Sequence, residues 1–446
     1  MKIINKLGIK KWTLIWGLGM AGQICWNIEN QWFNTFVYEE IAPNPSIISW
    51  MVAVSAIMTT LSTFLFGTLS DRMGKRKPFI ASGYILWGLF TIVFGFTMYV
   101  PRSASGSIMF IAVLLVLADA VMSFFGSMGN DSGFHPWTTD ILDDNNRGAL
   151  GATLAAQPVI GTIVGTVIGG MIIASFGYMS FFTIMGLFVI LVGILSIFTL
   201  KESPTLVARK EGTFFQQFMN SFKFKEFFDI KELVWVNTMI GVFFIGFNVY
   251  FVHIGNLFIY NYGFKEDAVG IIQGLGLVVA IFFTIPGIKL INKDKSPLLV
   301  MISIIVNAFG LVLLFFLGGT SDSSGIFIAS NIPLILGIMF VGIGYVVFLQ
   351  ATTVWAKKLY PTNSRGRFEG IRIIYFVLIP MLIGPMIANP IIKSYGKSFT
   401  KEYVTGSITG QVPTELLFII AAVIILLTLI PLLKATNYHN NRLNQK

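Results

Sequence analysis

Residues 67–78 read GTLSDRMGKRKP, and this short charged stretch separates two apolar runs, residues 47–69 and 79–100. Each run is long enough to cross a bilayer as a helix, so the stretch is a tight loop between two membrane-spanning helices. Gly67 allows a close helix contact, Gly74 allows a turn with positive φ, and Pro78 suits the first turn of the next helix. Because the loop is short and rich in Lys and Arg, it is typical of the cytoplasmic side of a membrane.

The composition indicates that lipid surrounds most of the chain. Hydrophobic residues make up 55% of the sequence and charged residues only 12%, whereas a soluble domain carries about a quarter charged residues. The net charge is +10, and the basic residues lie in loops. This placement indicates that they orient the chain in the membrane and do not bind nucleic acid. The single cysteine, Cys25, excludes an intrachain disulfide. The basic N-terminus precedes a segment that is too long for a signal peptide, so we interpret that segment as an uncleaved first span.

The apolar runs predict twelve transmembrane helices, which we number as spans one to twelve. They cover residues 13–37, 47–69, 79–100, 108–141, 149–173, 179–200, 233–262, 268–291, 298–318, 331–356, 368–392 and 414–433. A cytoplasmic 67–78 loop places 26 of the 31 Lys and Arg residues on the cytoplasmic side. This asymmetry predicts that both termini are cytoplasmic.

Two short motifs occur twice at nearly the same separation. Arg147 and Arg365 each precede a glycine after an even-numbered span, and Pro78 and Pro297 each open a span. We therefore expect an all-α membrane protein with two pseudo-symmetric six-helix bundles. The bundles are residues 1–200 and 232–446, joined by a cytoplasmic linker, residues 201–231. Phenylalanines mixed with lysines predict an amphipathic linker helix on the membrane surface.

The 67–78 loop resembles the characteristic loop of the major facilitator superfamily, and twelve spans in two halves agree with that family along the whole chain. Within it, the chain resembles the glycoside-pentoside-hexuronide:cation and sucrose:proton symporters, because of RKPFI at 76–80 and GNDSGFHP at 129–136. Trp137 stands where sucrose symporters have an arginine, and span two lacks the carboxylates of melibiose-type symporters. The resemblance implies symport of a small sugar with protons, and sodium remains an alternative coupling ion.

Few ionisable side chains lie inside the predicted spans, where each is costly unless it faces water or a partner. Asp119 lies about 17 Å along span four, near its middle, and Asp131 lies closer to the cytoplasmic end by helix geometry. Gly129, Gly133 and Pro136 argue against a regular helix there. We expect Asp119 or Asp131 to carry the coupling proton. The alternatives are an interhelical hydrogen bond or, for Asp131, a solvated helix end.

The candidate substrate contacts are mainly amides and aromatic rings, which suit the hydroxyls and C–H faces of a sugar. In span one, Gln23, Asn27, Asn30 and Asn34 recur every three or four residues and therefore share one helix face. Helix–helix packing is the alternative interpretation of this stripe. We expect the phenylalanines mostly to contact lipid. The full candidate set is Gln23, Trp26, Asn27, Glu29, Asn30, Asn130, Trp137, Asn248, His253, Asn256 and Gln350.

The charged loop residues are candidates for a gate. Asp71 and Arg72 are expected to form a charge network with Arg147 that breaks and reforms as the halves rock. The alternative is that these charges only fix the topology. The full motif and gate set is Gly67, Asp71, Arg72, Gly74, Arg76, Arg147 and Arg365.

The sequence thus predicts a monomeric transporter of the cytoplasmic membrane that takes up a glycoside or other small sugar with protons by alternating access. Two alternatives remain, a proton-driven exporter of drugs or metabolites and a non-transporting membrane receptor or scaffold. The sequence contains no H-E-x-x-H, G-x-S-x-G or Walker motif and no Cys/His metal cluster. An enzyme, a resident metal and a cofactor are therefore not expected.

We expect Asp131→Asn to abolish uphill, gradient-driven accumulation and to spare exchange of substrate across the membrane, because an amide cannot release a proton at physiological pH. Uptake of labelled substrate by vesicles, with and without a gradient, measures both activities. Unchanged uphill uptake would contradict a coupling role for Asp131.

Overall fold

The computed structural model describes residues 8–101, 105–141, 147–203, 206–209, 212–221, 224–319, 329–361, 365–403 and 406–444. Ten helices within these ranges are long and apolar enough to cross a membrane. One of them, Ala156–Thr199, contains predicted spans five and six, which meet at a kink where Gly177 has a φ of 77°. The helix Ile9–Phe36 is not among the ten, because its amides and Glu29 lower its mean hydropathy. When the kinked helix is counted as two spans and Ile9–Phe36 is added, the helices account for the twelve predicted spans. The helical membrane fold is confirmed.

The helices of the first part of the chain are α1 to α6. Their bounds are Ile9–Phe36 for α1, Pro45–Met73 for α2, Lys77–Phe96 for α3, Ser105–Gly129 for α4, His135–Asp140 for α5 and Arg147–Thr199 for α6. A π-helical turn, Val37–Ile41, follows α1, and a 3-10 turn, Thr97–Tyr99, follows α3.

The rest of the chain contains helices α7 to α16 and two strands. The helices are Phe214–Ser221 (α7), Lys225–Asp229 (α8), Lys231–Tyr260 (α9), Glu266–Asn292 (α10), Ser296–Leu317 (α11), Ile332–Leu359 (α12), Arg365–Ile373 (α13), Ile379–Tyr395 (α14), Leu416–Leu427 (α15) and Leu429–Asn444 (α16). The strands are Ser398–Tyr403 (β1) and Gly406–Gln411 (β2), and a 3-10 turn, Ala329–Asn331, precedes α12. Helix α7 lies in the predicted linker; its position on a membrane surface stays a prediction.

Two spans contain a π-helical turn beside a proline. Span four changes from α4 to a π-helical turn at Asn130–Phe134 and continues as α5, with Pro136 in the first turn of α5. Span eleven has a π-helical turn at Ile374–Leu378, directly before Pro380. Proline removes a backbone donor and crowds the preceding turn, so the regular α-helical pattern fails there. The expected irregularity of span four is therefore present, and it reorients the backbone at Asn130 and Asp131.

The described chain divides into two compact units. The first comprises Met1–Glu29, Val54–Gly165 and Ser175–Lys223, and the second comprises Asn30–Ala53, Thr166–Ala174 and Phe224–Lys446. The division passes through α1, α2 and α6, so short segments of these helices belong with the second unit. The sequence-based boundaries at residues 200 and 232 stay a prediction.

In the first unit, the turn within the predicted 67–78 loop is shorter than expected and covers only residues 74–76, because α2 continues to Met73 and α3 begins at Lys77. Gly74 has a φ of 61°, and Pro78 lies in the first turn of α3. Arg209 N donates to Asp71 O at 2.9 Å, so the linker packs directly on this turn. Among the described residues, no heavy atom lies within 4 Å of a Cβ built on Gly67, so they show no close helix contact there.

The core of the second unit is organised around α9. Most of its residues are buried, and Phe243 stacks on Phe348 of α12 with ring centroids 3.7 Å apart. Helices α14, α15 and α16 also pack along α9. The stacked rings and buried aliphatic side chains form the core of this unit.

A β-hairpin connects α14 to α15, a feature that the span pattern did not predict. Strands β1 and β2 pair antiparallel, with Ser398 opposite Gln411. The hairpin docks on the corner at residues 37–43, also in the second unit. Gln411 N donates to Pro43 O at 3.2 Å, and Tyr38 Oη donates to Gln411 O at 2.9 Å. An ion pair between Lys401 and Glu39 adds to the contact.

We expect Gly74→Ala to lower the free energy of unfolding by about 1–2 kcal/mol, because a β-carbon disfavours positive φ. That β-carbon would also lie 2.7 Å from Ala208 N. Gly67→Ala is the matched control, since it has open space inside a helix and should be neutral or slightly stabilising. Unfolding of the detergent-solubilised protein measures both, and equal losses would contradict this account.

Candidate functional site

A buried carboxyl group lies at the centre of the first unit. Glu29 of α1 is 5% exposed, and its Oε1 accepts hydrogen bonds from Ser55 Oγ of α2 and from Ser123 Oγ of α4, the latter at 2.8 Å. The two serine hydroxyls also lie 2.8 Å apart. Three helices therefore converge on one oxygen of this carboxyl group. Its other oxygen, Oε2, is buried with no hydrogen-bond partner among the described residues.

A second carboxyl group lies one turn along α4 from Ser123. Asp119 is 1% exposed, and Ser123 Oγ also hydrogen-bonds to Asp119 O at 2.8 Å. Within the described ranges, Asp119 Oδ1 has no hydrogen-bond partner. Ser123 thus connects the Glu29 carboxyl to the turn that carries Asp119. Buried polar atoms that lack a partner are costly; besides these two oxygens, Trp87 Nε1 of this unit also has none among the described residues.

Asp131 lies in the π-helical turn and is partly exposed. Its Oδ1 accepts a hydrogen bond from Asn130 Nδ2 at 3.1 Å, and Asn130 Oδ1 accepts one from Tyr84 Oη at 3.3 Å. His135 Nε2 lies 3.5 Å from Asn130 Nδ2. The hydrogen-bond partner of Asp131 therefore differs from those of Glu29, which are Ser55 and Ser123.

The amide stripe of α1 is largely used for helix packing. A Cβ on Gly161 would lie 2.5 Å from Gln23 Cβ, and a Cβ on Gly165 would lie 2.6 Å from Asn27 Oδ1. These small residues of α6 let α1 approach closely, as the alternative interpretation of the stripe predicts. Asn34 Nδ2 donates to its own helix at Asn30 O. Gln23 and Asn30 keep part of their surface exposed.

The two candidate tryptophans of the first unit have different surroundings. Trp26 is partly exposed and packs on Trp87 of α3, with ring centroids 4.9 Å apart. Trp137 is 1% exposed, and its Nε1 donates to Lys201 O at 3.1 Å, where the linker begins. The structure therefore separates Trp137 from Glu29 and Trp26.

The candidates of the second unit are mostly engaged within the protein. Asn256 Nδ2 donates to Asn34 O at 2.9 Å, and Asn248 Nδ2 donates to Phe244 O of its own helix at 2.8 Å. Gln350 Nε2 donates to Thr284 O of α10 at 3.3 Å and stays partly exposed. His253 is fully buried, and neither ring nitrogen has a hydrogen-bond partner among the described residues.

An aromatic surface in the second unit contains phenylalanines that pack on other rings of the protein. Phe247 stacks on Phe251 at 4.4 Å and on Tyr345 of α12 at 4.8 Å between centroids. Phe376 packs on Phe244 at 4.3 Å, and the Arg372 guanidinium lies 5.0 Å from its ring centroid. Phe247, Phe251, Tyr345 and Phe376 are all partly exposed. The three- and four-residue spacing of Phe244, Phe247 and Phe251 on one helix face was a signal available in the sequence.

Two further features of the second unit lie outside the predicted site. Glu232 accepts hydrogen bonds from Trp355 Nε1 at 2.7 Å and from Arg442 Nε at 2.7 Å, and it also contacts His439. This cluster fastens α16 to α9 and α12. A cavity of about 530 Å³ beside Tyr262 and Glu415 is lined by none of the candidate residues.

A family model of the Major Facilitator Superfamily matches residues 15–329 and residues 261–445. The chain belongs to this superfamily. Members of the superfamily are transporters, which agrees with the expectation that the chain is not an enzyme.

Individual members of the superfamily resemble the chain at low identity. The "multi-drug resistance efflux pump PmrA" of Streptococcus pneumoniae is 24% identical over 357 residues, which cover 77% of this chain and 79% of PmrA. The nucleoside transporter NupG structure has a TM-score of 0.68 at 13% identity and covers 96% of this chain and 99% of its own. The xylose transporter XylE from E. coli has a TM-score of 0.65 at 14% identity, covering 94% and 96%. These structures support the fold, and none of the three proteins fixes the substrate.

The superfamily loop forms a charge network centred on Arg76 in the first unit. Arg76 Nη2 pairs with Asp71 at 2.7 Å, and its Nε pairs with Asp140 of α5 at 2.9 Å. Burial alone would lower the pKa of Arg76, but the charges of Asp71 and Asp140 and their hydrogen bonds raise it above the usual value. Glu202 caps the start of α3 through the backbone N–H groups of Arg76 and Lys77.

The expected partners in this network are only partly those observed. Asp71 pairs with Arg76, whereas Arg72 donates to Gly212 O and Gln217 Oε1 of the linker, both at 2.9 Å. The side chains of Arg147 and Arg365 lie outside the described residues. The network that the structure shows therefore joins the loop, α5 and the linker within one unit.

We expect Arg76→Ala to lower the free energy of unfolding by about 2 kcal/mol or more, because it leaves Asp140 and Asp71 without their buried cation. Arg72→Ala is the matched control and should cost about 1 kcal/mol or less, since it loses hydrogen bonds at a partly exposed site. Denaturation of the purified protein in detergent compares them. A larger loss for Arg72→Ala would show that Arg76 is not the centre of the network.

Proposed function

We propose that this chain is a proton-driven secondary transporter in which Glu29, with Asp119 beside it, carries the coupling proton. The observation that supports this most directly is the pair of buried, partnerless oxygens, Glu29 Oε2 and Asp119 Oδ1. A proton bound to either oxygen neutralises a buried charge and supplies an O–H donor. Loss of that proton returns a charge to a low-dielectric interior, which needs a change in solvation. Protonation and conformation are thereby linked, as alternating access requires.

This assignment of the coupling proton differs from the one expected from the sequence, which named Asp119 or Asp131. Asp119 stays a candidate for carrying the coupling proton. Glu29, which the sequence analysis placed among the substrate contacts, is now proposed to carry that proton. Asp131 is partly exposed. Hydrogen bonds from Ser55 and Ser123 hold the Glu29 carboxyl at Oε1 and leave Oε2 for the proton. The simplest coupling ion is thus H⁺. Sodium, which takes several oxygen ligands around one point, stays the alternative coupling ion.

For the substrate we propose planar aromatic compounds, neutral or cationic, moved outward. Phe247, Phe251, Tyr345 and Phe376 present a partly exposed aromatic surface, and Arg372 already occupies one ring as a cation–π partner. Such rings bind flat aromatic or cationic solutes. The relative PmrA is named as a multidrug efflux pump, which agrees with this chemistry.

Sugar uptake is the second candidate. On α1, Gln23 and Asn30 are partly exposed residues, and Trp26, also partly exposed, lies between them in the sequence. These groups suit hydroxyls and C–H faces, and XylE, a neighbour in fold, is named as a xylose transporter. Most of the amide stripe is engaged in packing, so this candidate ranks second.

The proposal places the protein in the cytoplasmic membrane as a monomer, with both termini and the 67–78 loop in the cytosol. The basis is the distribution of Lys and Arg over the loops. Accessibility of single cysteines introduced at Lys75 and Glu402 to a membrane-impermeant thiol reagent tests this orientation.

Vesicles with the membrane potential clamped distinguish the candidates by the sign of coupling. A proton antiporter accumulates ethidium in an acidic lumen, whereas a proton symporter accumulates labelled mono- or disaccharide in an alkaline lumen. The sign does not depend on how the protein is oriented in the vesicle. Movement of any of these solutes would exclude the receptor or scaffold alternative.

We expect Glu29→Gln to abolish ethidium accumulation driven by the pH gradient and to preserve ethidium exchange without a gradient, because glutamine keeps the serine contacts but cannot carry the proton. Glu402→Gln, an exposed carboxyl on the hairpin, is the control and should behave like the unmodified protein. Ethidium fluorescence measures both activities. Full accumulation by Glu29→Gln would refute the coupling role of Glu29.

A further inference from the structure

A ladder of hydroxyl groups runs along the contact between α2 and span four. On span four, Asp119, Ser123, Ser127 and Asp131 recur every four residues; on α2, Ser55, Thr59 and Thr63 do the same. Residues four apart on a helix share one face. The two acids that the sequence left as rival candidates are therefore the two ends of one polar stripe.

Side-chain contacts join the two stripes into pairs. Ser55 Oγ lies 2.8 Å from Ser123 Oγ, beside the Glu29 carboxyl. Two turns further along α2, Thr63 Oγ1 lies 2.7 Å from Ser127 Oγ. Ser127 Oγ also donates to Thr59 O at 2.9 Å, between the two pairs.

We call these facing side chains of α2 and span four the hydroxyl seam. Burial of the side chains decreases along this seam from one end to the other. Ser55, Ser123 and Ser127 are at most 1% exposed, and Thr59 is 5% exposed. Thr63 and Asp131 are partly exposed. The seam thus runs from the fully buried carboxyl groups to an end at which Thr63 and Asp131 are partly exposed.

We propose that this seam is the path by which the coupling proton travels between Glu29 and Asp131. The proposal rests on the proposed function, because it takes Glu29 with Asp119 as the proton-binding site. Each hydroxyl accepts a proton on its oxygen and passes its own hydrogen to the next acceptor. One proton leaves Glu29 and one arrives at Asp131, so no hydroxyl gains or loses a hydrogen overall. Rotation of the hydroxyls then restores the starting arrangement.

The path includes water at two points. Side chains one helical turn apart have Cβ atoms about 5–6 Å apart, too far for direct transfer between Ser123 and Ser127. The proposed path therefore requires one water near Thr59 and a second between Thr63 and Asp131.

The simpler interpretation of the seam is helix packing, since Ser and Thr often satisfy their hydroxyls on helix carbonyls. The two interpretations differ in what a loss of hydroxyls does. A packing defect slows every transport step or unfolds the protein. A broken proton path slows only those steps in which a proton enters or leaves Glu29.

The test uses the double variant Thr63→Val with Ser127→Ala in the full chain, reconstituted in vesicles with ethidium as the solute and pyranine as a luminal proton probe. Thr91→Val with Ser196→Ala is the matched control, because both hydroxyls are buried and bond to carbonyls of their own helices. We expect proton-driven ethidium flux and pyranine response to fall at least tenfold in the seam variant. Ethidium exchange without a gradient should stay within twofold, and the control should stay within twofold in both assays.

Each other outcome is decisive. Normal proton-driven flux in the seam variant would overturn the path and leave the role of Glu29 intact, provided that Glu29→Gln still abolishes coupling. An equal fall of driven flux and exchange would assign the seam to packing. If neither ethidium nor the labelled saccharides respond to the pH gradient in the unmodified protein, the proposed function fails and the path fails with it.

Discussion

A carboxyl group in the apolar interior of a membrane protein must find its hydrogen bonds inside the protein, because lipid provides none. The first unit meets this constraint at Glu29 by placing two serines from two different helices on one carboxyl oxygen. This arrangement fixes the contact between α1, α2 and α4. The same constraint accounts for the hydroxyl pairs between α2 and α4 and for the small residues of α6 opposite the amides of α1. Function and packing in this unit therefore depend on the same polar atoms.

The membrane fold could be predicted from the sequence because hydropathy and loop charge are properties of whole segments and do not depend on single side-chain contacts. The positive φ of Gly74, the helix start at Pro78 and the irregular helix near Pro136 also followed from local backbone chemistry. Each depends on one or two residues whose conformational preferences are strong. The β-hairpin was missed because it lies between two spans, where the span pattern gives no information.

The candidate site was harder to predict because side-chain partners come from distant parts of the chain. The periodicity of the amides in α1 was visible, but whether that face meets a cavity or the glycines of α6 depends on how two helices pack. The network around Arg76 likewise depends on Asp140, which lies 64 residues away. The aromatic surface was overlooked for the opposite reason. With 42 phenylalanines in the chain, a spacing of three and four residues does not stand out.

The hairpin between α14 and α15 has a consequence for how the chain tolerates sequence change. Three hydrogen bonds attach the hairpin to the corner at residues 37–43, and each has a main-chain acceptor. Gln411 N donates to Pro43 O, Tyr38 Oη donates to Gln411 O, and Tyr403 Oη donates to Tyr38 O. Main-chain groups survive most substitutions at their own positions. The bond from Gln411 N to Pro43 O therefore tolerates substitution at both residues, whereas Tyr38→Ala or Tyr403→Ala would each remove a hydrogen bond, so these two tyrosines are where the contact tolerates least change.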